Sequence, residues 1–444
     1  MNKMSMTKRG LAFVLAGALS LGLMACGKSG TDVSTAGSTG NSAGSTTEKA
    51  QQVELKFSHI WGSDSDPFTP AAKKVIEDYQ TANPNVKIIV DTNENEAYKT
   101  KIKAMAAANE LPDLFSTWGG GFSKPFVDSN SVLQLDSYLT DDAKGKLVNG
   151  ALNNVTYDGK IYGMPFLLSV GALFVNTELF EQNGIKIPAT YDELIAAVKA
   201  FKAKGITPMA VSGKDKWTIA MYFDVMALRA AGPDKIVKTL TKQGSFKDPE
   251  FLNAAVRFKE LIDAEAFSKG ASGVSNDEAE VPFFEGKIPM MFKGSWAAGK
   301  AGTKDSKVSG KIKAISFPAL PDGKGNEKQF TGGAVDAIMV SSNTKDKDEA
   351  VKFQMYFTEN MARESYLSGA SMPAWKVDVD ESQVNPSLVD IVNLTKDTEG
   401  FTIWWDTLLA GKDTETYLNA LQELFLGSKT PQQFIDSLQT MYDK

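Results

Sequence analysis

The chain has 444 residues, a formal net charge of −6 and 42% hydrophobic residues. That length allows two or three ordinary domains, or two lobes that share segments, and the composition suits a folded globular protein. The acidic balance supports neither a nucleic-acid surface nor a broad basic membrane face. Beyond Arg9 the only arginines are Arg229, Arg257 and Arg363. Arginine is the usual residue for planar recognition of carboxylate or phosphate, so its scarcity disfavours a multiply anionic ligand. A single cysteine excludes an intrachain disulfide framework.

At the N-terminus, Lys3, Lys8 and Arg9 precede an apolar run from Leu11 to Leu23, then Met24-Ala25-Cys26-Gly27. A basic head, a short apolar stretch and small residues before the cut describe a secretory signal over 1–25. The pattern resembles a lipobox, in which Cys26 is lipidated and becomes the mature N-terminus. Residues 26–52 are rich in Gly, Ser, Thr and Ala, with little to bury, so they read as a flexible tether. A tether of this length has an end-to-end distance of roughly 25–30 Å.

Val53–Phe57 alternates apolar and polar and predicts a strand. It runs into a loop holding His59, Trp61, Asp64 and Asp66. A helix over 70–79, a strand over 86–90, a helix over 98–108 and a strand at Leu114-Phe115 follow. The order β-α-β-α-β argues for a mostly parallel sheet with helices on its faces. In such sheets ligands bind at loops beyond the carboxyl ends of the strands, where Trp61 and Trp118 fall.

Asp158-Gly159 marks a turn. The run Phe166–Val175, broken only by Ser169 and Gly171, predicts a buried strand that something approaches closely. Asn176-Thr177-Glu178 reads as a helix start. Thr190-Tyr191-Asp192-Glu193 has capping-box spacing, Trp217–Ala231 reads as a helix, and Asp248-Pro249 opens another. A helix over 278–284 and strands over 288–292 and 312–317 come next. A second apolar run with small residues, 332–340, precedes a long helix over 348–366. Helices over 388–394, 401–409, 414–425 and 430–441 complete the chain.

Several segments together resemble one family: Leu111-Pro112-Asp113-Leu114, Asp158–Pro165, Val175–Phe180, Gly184–Leu194, Phe284–Met290 and Gly294-Ser295-Trp296. Their order and spacing are similar to family 1 extracellular solute-binding proteins that feed ABC sugar importers. The raffinose/multiple-sugar-type lipoproteins are nearest, and maltose-binding proteins are more distant. The resemblance implies an α/β, two-lobed periplasmic-binding-protein-like (type II) fold with a cleft between the lobes and a hinge crossed more than once. One lobe would hold 53–164 and 332–373, the other 165–331 and 374–444, with the runs 166–175 and 332–340 as crossings. The implied partners are an oligosaccharide and ABC permease subunits. The implied location is the extracellular face of a Gram-positive-type cell membrane, reached through the lipid anchor alone. The expected protein is a monomer that binds no nucleic acid, metal or cofactor and has no catalytic activity.

A neutral sugar offers C–H faces that lie on aromatic rings and hydroxyls that need paired donors and acceptors. The seven tryptophans are therefore the first candidates. Trp61, Trp118 and Trp296 follow strand-like runs, and maltose-type relatives place stacking aromatics near Trp118, Trp296 and the Trp404-Trp405 pair. Trp217 starts a helix after a polar loop, while Trp375 suits hinge packing better. His59, Asp64, Phe166 and Asp336 complete the candidates, with Ser169 standing where maltose-type relatives often have a carboxylate, a departure that tells against maltose specificity. Two other readings compete: the same family with a polyamine, glycerophosphodiester or metal ligand, and a secreted glycoside hydrolase with paired carboxylates.

Overall fold

Two large sheets organise the described residues, beside a two-stranded hairpin of Thr156–Tyr157 with Lys160–Ile161, and the apolar runs at 166–175 and 332–340 pass from one large sheet to the other. The computed structural model describes residues 52–303 and 306–442. The expected signal, the lipidated Cys26 and the tether lie outside the described residues, save Gln52 at the tether's last position.

The first sheet has five strands in the order Val86–Thr92, Val53–His59, Leu114–Trp118, Asp336–Val340, Met164–Pro165. The first three run parallel, as the β-α-β-α-β order predicts. Asp336–Val340 joins antiparallel from far along the chain, a return that local pattern does not reveal. Leu55 and Phe57, alternate residues on one face, are buried, and Phe57 meets Phe353 and Phe357 of the helix Lys347–Leu367 edge-on.

The second sheet is built on one strand, Leu167–Asn176. It pairs antiparallel with Met372–Pro373, then Gly332-Gly333, then Met290–Gly294 and Ile312–Ile315. Gln329–Gly333 adds Gly400–Thr402 in parallel. The parallel expectation thus holds for one part of the fold only. Long antiparallel pairing explains why the run carries small residues. A Cβ on Gly171 would lie 2.4 Å from Thr331 Oγ1, and Gly332, at φ +132°, would put one 2.1 Å from the Ser169 carbonyl oxygen.

The chain leaves the first sheet at Pro165 and enters the second at Leu167, returns between Gly333 and Asp336, and crosses again near Met372. At that third crossing the Trp375 indole donates to the Pro165 carbonyl at 2.8 Å and is fully buried. Among the described residues no helix is long and apolar enough to cross a membrane.

One expected helix is absent. Residues 401–409 form the strand Gly400–Thr402 and a four-residue helix, Trp405–Leu408. The helical spacing of Phe401, Trp404, Trp405 and Leu408 is overridden by backbone pairing with Gln329–Thr331 and by Asp224. This fully buried carboxylate of the helix Trp217–Ala231 accepts the Trp405 N–H at 2.9 Å and the Tyr417 hydroxyl. Burial pushes the Asp224 carboxyl well above its ordinary range. Thr190 caps its helix, but Glu193 reaches back to the Ala189 N–H, so the reciprocal box there is incomplete. Complete boxes stand at Ser275/Glu278 and Thr430/Gln433.

Candidate functional site

A cleft of about 810 Å³ opens where the carboxyl ends of the first sheet face the second. That volume is in the range of small-molecule sites. From the first sheet's side come Trp61, Asp66, the start of the helix Asn95–Ala107, Trp118 and Asp336; from the other come Trp217, Glu280, Trp296, Trp404 and Asp406.

Each aromatic arrives through a local rule. Trp118 is the last residue of its strand, in register with Asp336 on the neighbouring strand, and both line the cleft. Trp217 is the first residue of its helix, placed by Thr218, whose hydroxyl bonds the Ser212 backbone. Trp296 begins the short helix Trp296–Ala301 directly after the strand Met290–Gly294. Trp404 and Trp405 diverge because Asp224 anchors the peptide between them. Trp404 lines the cleft, while Trp405 packs into the core against Phe223, Phe246 and Tyr417.

Trp217, Trp296 and Trp404 form one wall, with ring centroids 6.4 Å apart for the first pair and 5.9 Å for the second. Across from it, Trp118 lies edge-on to Phe122 at 5.1 Å. The Lys99 ammonium is 5.1 Å from the Trp118 ring centroid and 6.0 Å from that of Trp217, so it spans the two sides. The buried indole N–H groups of Trp217 and Trp404, and Asn95 Oδ1, have no partner among the described residues. Each such group costs about 1–3 kcal/mol until something satisfies it.

Ser169 and Asp336 meet in the cleft, the hydroxyl donating to Asp336 Oδ2 at 3.3 Å. Burial pushes Asp336 up to about 6, against the pull of Ser169 and the Trp118 side chain. Burial likewise pushes Asp66 up to about 7, reinforced by Asp277 and Glu280, with the Phe68 N–H and Lys300 opposing. Beneath Trp217, Lys293 places its ammonium 4.3 Å from the ring centroid and 2.7 Å from Glu280, and donates to Asn276. Glu280 also holds Lys300 at 3.1 Å. Burial would raise the Glu280 carboxyl, but the two lysines overcome it and hold it below its ordinary range. Burial holds Lys293 down despite its partner.

Of the eleven binding candidates, the structure brings Trp61, Trp118, Ser169, Trp217, Trp296, Asp336 and Trp404 to the cleft. His59, Asp64, Phe166 and Trp405 are not among its lining residues. His59 and Phe166 are instead the packing behind Trp61. His59 stacks on that ring at 5.0 Å and accepts the Trp61 N–H through Nδ1 at 3.2 Å, and Phe166 meets the ring edge-on at 5.3 Å. Asp64 is almost fully exposed and pairs with Lys73. Asp66, weighed beside it, faces the cleft instead. Sequence reasoning missed Lys99, Glu280, Lys293, Lys300 and Asp406. The one signal for Lys293 was a charge inside an otherwise apolar segment, Met290–Trp296; Glu280, among Asn276, Asp277 and Glu278, carried none.

A sequence model of the family described as "Bacterial extracellular solute-binding protein" matches residues 63–364. The multiple sugar-binding protein of Streptococcus mutans serotype c is 25% identical over 346 residues, which cover 76% of this chain and 79% of that protein. A structure from work on xylan utilization by the thermophilic bacterium Caldanaerobius polysaccharolyticus is 40% identical. It covers 88% of this chain and all of that one, with a TM-score of 0.85. A chitin oligosaccharide binding protein is 28% identical, with a TM-score of 0.81 over 88% of this chain and 98% of that one.

Proposed function

The chain belongs to the bacterial extracellular solute-binding protein family, and on that premise we propose that it captures an oligosaccharide between its two lobes for delivery to an ABC importer. The observation that carries this reading is the wall of Trp217, Trp296 and Trp404 facing Trp118, with unpartnered indole N–H groups at Trp217 and Trp404. Ring faces suit the C–H surface of sugars. The unpartnered donors, with Asn95, Asp66, Asp336 and Asp406, suit hydroxyls. The names of the relatives agree: they bind multiple sugars or chitin oligosaccharides, and the 40% identical structure comes from work on xylan.

In this reading Cys26 carries the lipid, and residues 27–52 tether the lobes at the outer face of the membrane. Lobe one is 53–164 with 332–373, and lobe two is 165–331 with 374–444. Sugar that touches both lobes stabilises the closed state, and the closed form docks on the permease. Calorimetry against xylan-, chitin- and raffinose-type oligosaccharides tests this. Micromolar-class binding, about 8 kcal/mol, and recovery of the sugar uncut are expected. No heat from any sugar at millimolar concentration, or shortened products, would overturn it.

A further inference from the structure

The cleft has a charge character that the aromatic wall does not explain. Six carboxyl side chains line it with no ion-pair partner among the described residues: Asp66, Glu94, Asp277, Asp336, Asp406 and Glu415. The lysines that line it are largely spoken for. Lys99 is bound to Glu96 at 2.8 Å, and Lys300 to Glu280 at 3.1 Å. Lys103 lies over the Phe122 ring at 4.8 Å. Among the described residues no arginine lines the cleft. The acids sit on both sides: Asp66, Glu94 and Asp336 on one, Asp277, Asp406 and Glu415 on the other.

We propose that this cleft selects by charge: it accepts uncharged oligosaccharides, tolerates an added amine, and turns away sugars bearing a carboxylate, sulfate or phosphate. The inference rests on the sugar-binding reading above. An anionic substituent entering here would lose its water with Lys103 as the lining lysine not already paired with a carboxylate among the described residues, in a narrow space whose walls carry an excess of carboxyl groups. The carboxyls already feel one another across the cleft. Behind the dominant effect of burial, Asp277 and Glu280 push Asp66 up against the pull of Lys300, and Glu96 pushes Asp406 up against the stronger pull of Lys99. Closure therefore brings like charges together, and a neutral ligand is what the closed state can hold without adding to that opposition.

The test uses the full chain in calorimetry at low and at raised salt, with three xylotriose-based ligands: xylotriose, xylotriose with one arabinosyl branch, and xylotriose with one glucuronosyl branch. The trimer of N-acetylglucosamine and its de-acetylated, cationic form are measured alongside. Expected are at least tenfold weaker binding of the glucuronosyl than of the arabinosyl ligand, a gap that shrinks as salt rises, and cationic trimer binding no weaker than tenfold below its neutral parent. The rim variant Asp277→Asn with Glu415→Gln should narrow the gap. Equal or tighter binding of the glucuronosyl ligand overturns the proposal while leaving sugar capture standing. A gap indifferent to both salt and the rim variant assigns the discrimination to shape and also overturns it. No binding by any neutral or charged ligand sinks the sugar reading, and this inference with it.

Discussion

Replacing Lys293 by methionine keeps the length of the side chain and removes its charge. The residue is 3% exposed on the strand Met290–Gly294, opposite Ala172. Its ammonium serves Glu280 at 2.7 Å, Asn276, and the face of Trp217 at 4.3 Å. Removing one partner of a buried pair costs about 3–5 kcal/mol, because the other charge stays buried. Lys300 remains on Glu280 at 3.1 Å, with its own side chain 20% exposed, so Lys293→Met should sit near the low end, about 3 kcal/mol. Adding Glu280→Gln removes the stranded charge, and the double variant should recover about 2 kcal/mol of that loss. Urea unfolding of the four proteins gives the cycle, with unchanged slopes required for the comparison. A single variant within about 1 kcal/mol of wild type, or a double variant no better than the single, would refute the view that this network is a coupled buried pair.

Trp404→Ala should weaken sugar binding by about 2 kcal/mol, roughly 30-fold, with little change in melting temperature. Trp405→Ala should instead cost about 3–5 kcal/mol of stability; both are read by calorimetry and unfolding on the same samples. Burial holds the His59 imidazole at about 4, below its ordinary value of 6.5. The folded state therefore binds fewer protons, and the contribution is complete above pH ~6.5 and is lost toward pH 4, about 3 kcal/mol in all. In His59→Phe that part of the acid loss should vanish from unfolding curves taken across this window. Asp66, raised to about 7, has the opposite sign. Its cost to folding grows as pH rises from about 4 through 7, so Asp66→Asn should raise the unfolding midpoint at pH 8 and leave it unchanged at pH 3.5. Gly332→Ala, which would put a methyl 2.1 Å from the Ser169 carbonyl oxygen, should lose at least about 3 kcal/mol, visible in thermal unfolding.

What could be read from the chain followed from local rules. The helix Trp217–Ala231 is found with both predicted ends, because a polar loop and then Gly232 bound an apolar stretch. The first three parallel strands follow from the spacing of helices between them. What escaped depends on partners far away in sequence. His59 and Phe166 carried no mark of being covered, since Phe68 and Phe357 close over Trp61 from other elements. The split between Trp404 and Trp405 is dictated by Asp224, which no spacing links to them. The charge census of the cleft needed both sides assembled, because its acids are scattered from Asp66 to Glu415.

Both sheets are closed by strands from the last third of the chain. Asp336–Val340 completes a sheet begun at Val53, and Met372–Pro373 pairs with Leu167-Leu168. Contacts of such sequence separation form slowly, since a long loop must close before they return any stabilisation. A chain still being synthesised, with residues beyond 330 not yet made, can complete neither sheet. This order of assembly delays completion of either sheet until about three quarters of the chain has been made.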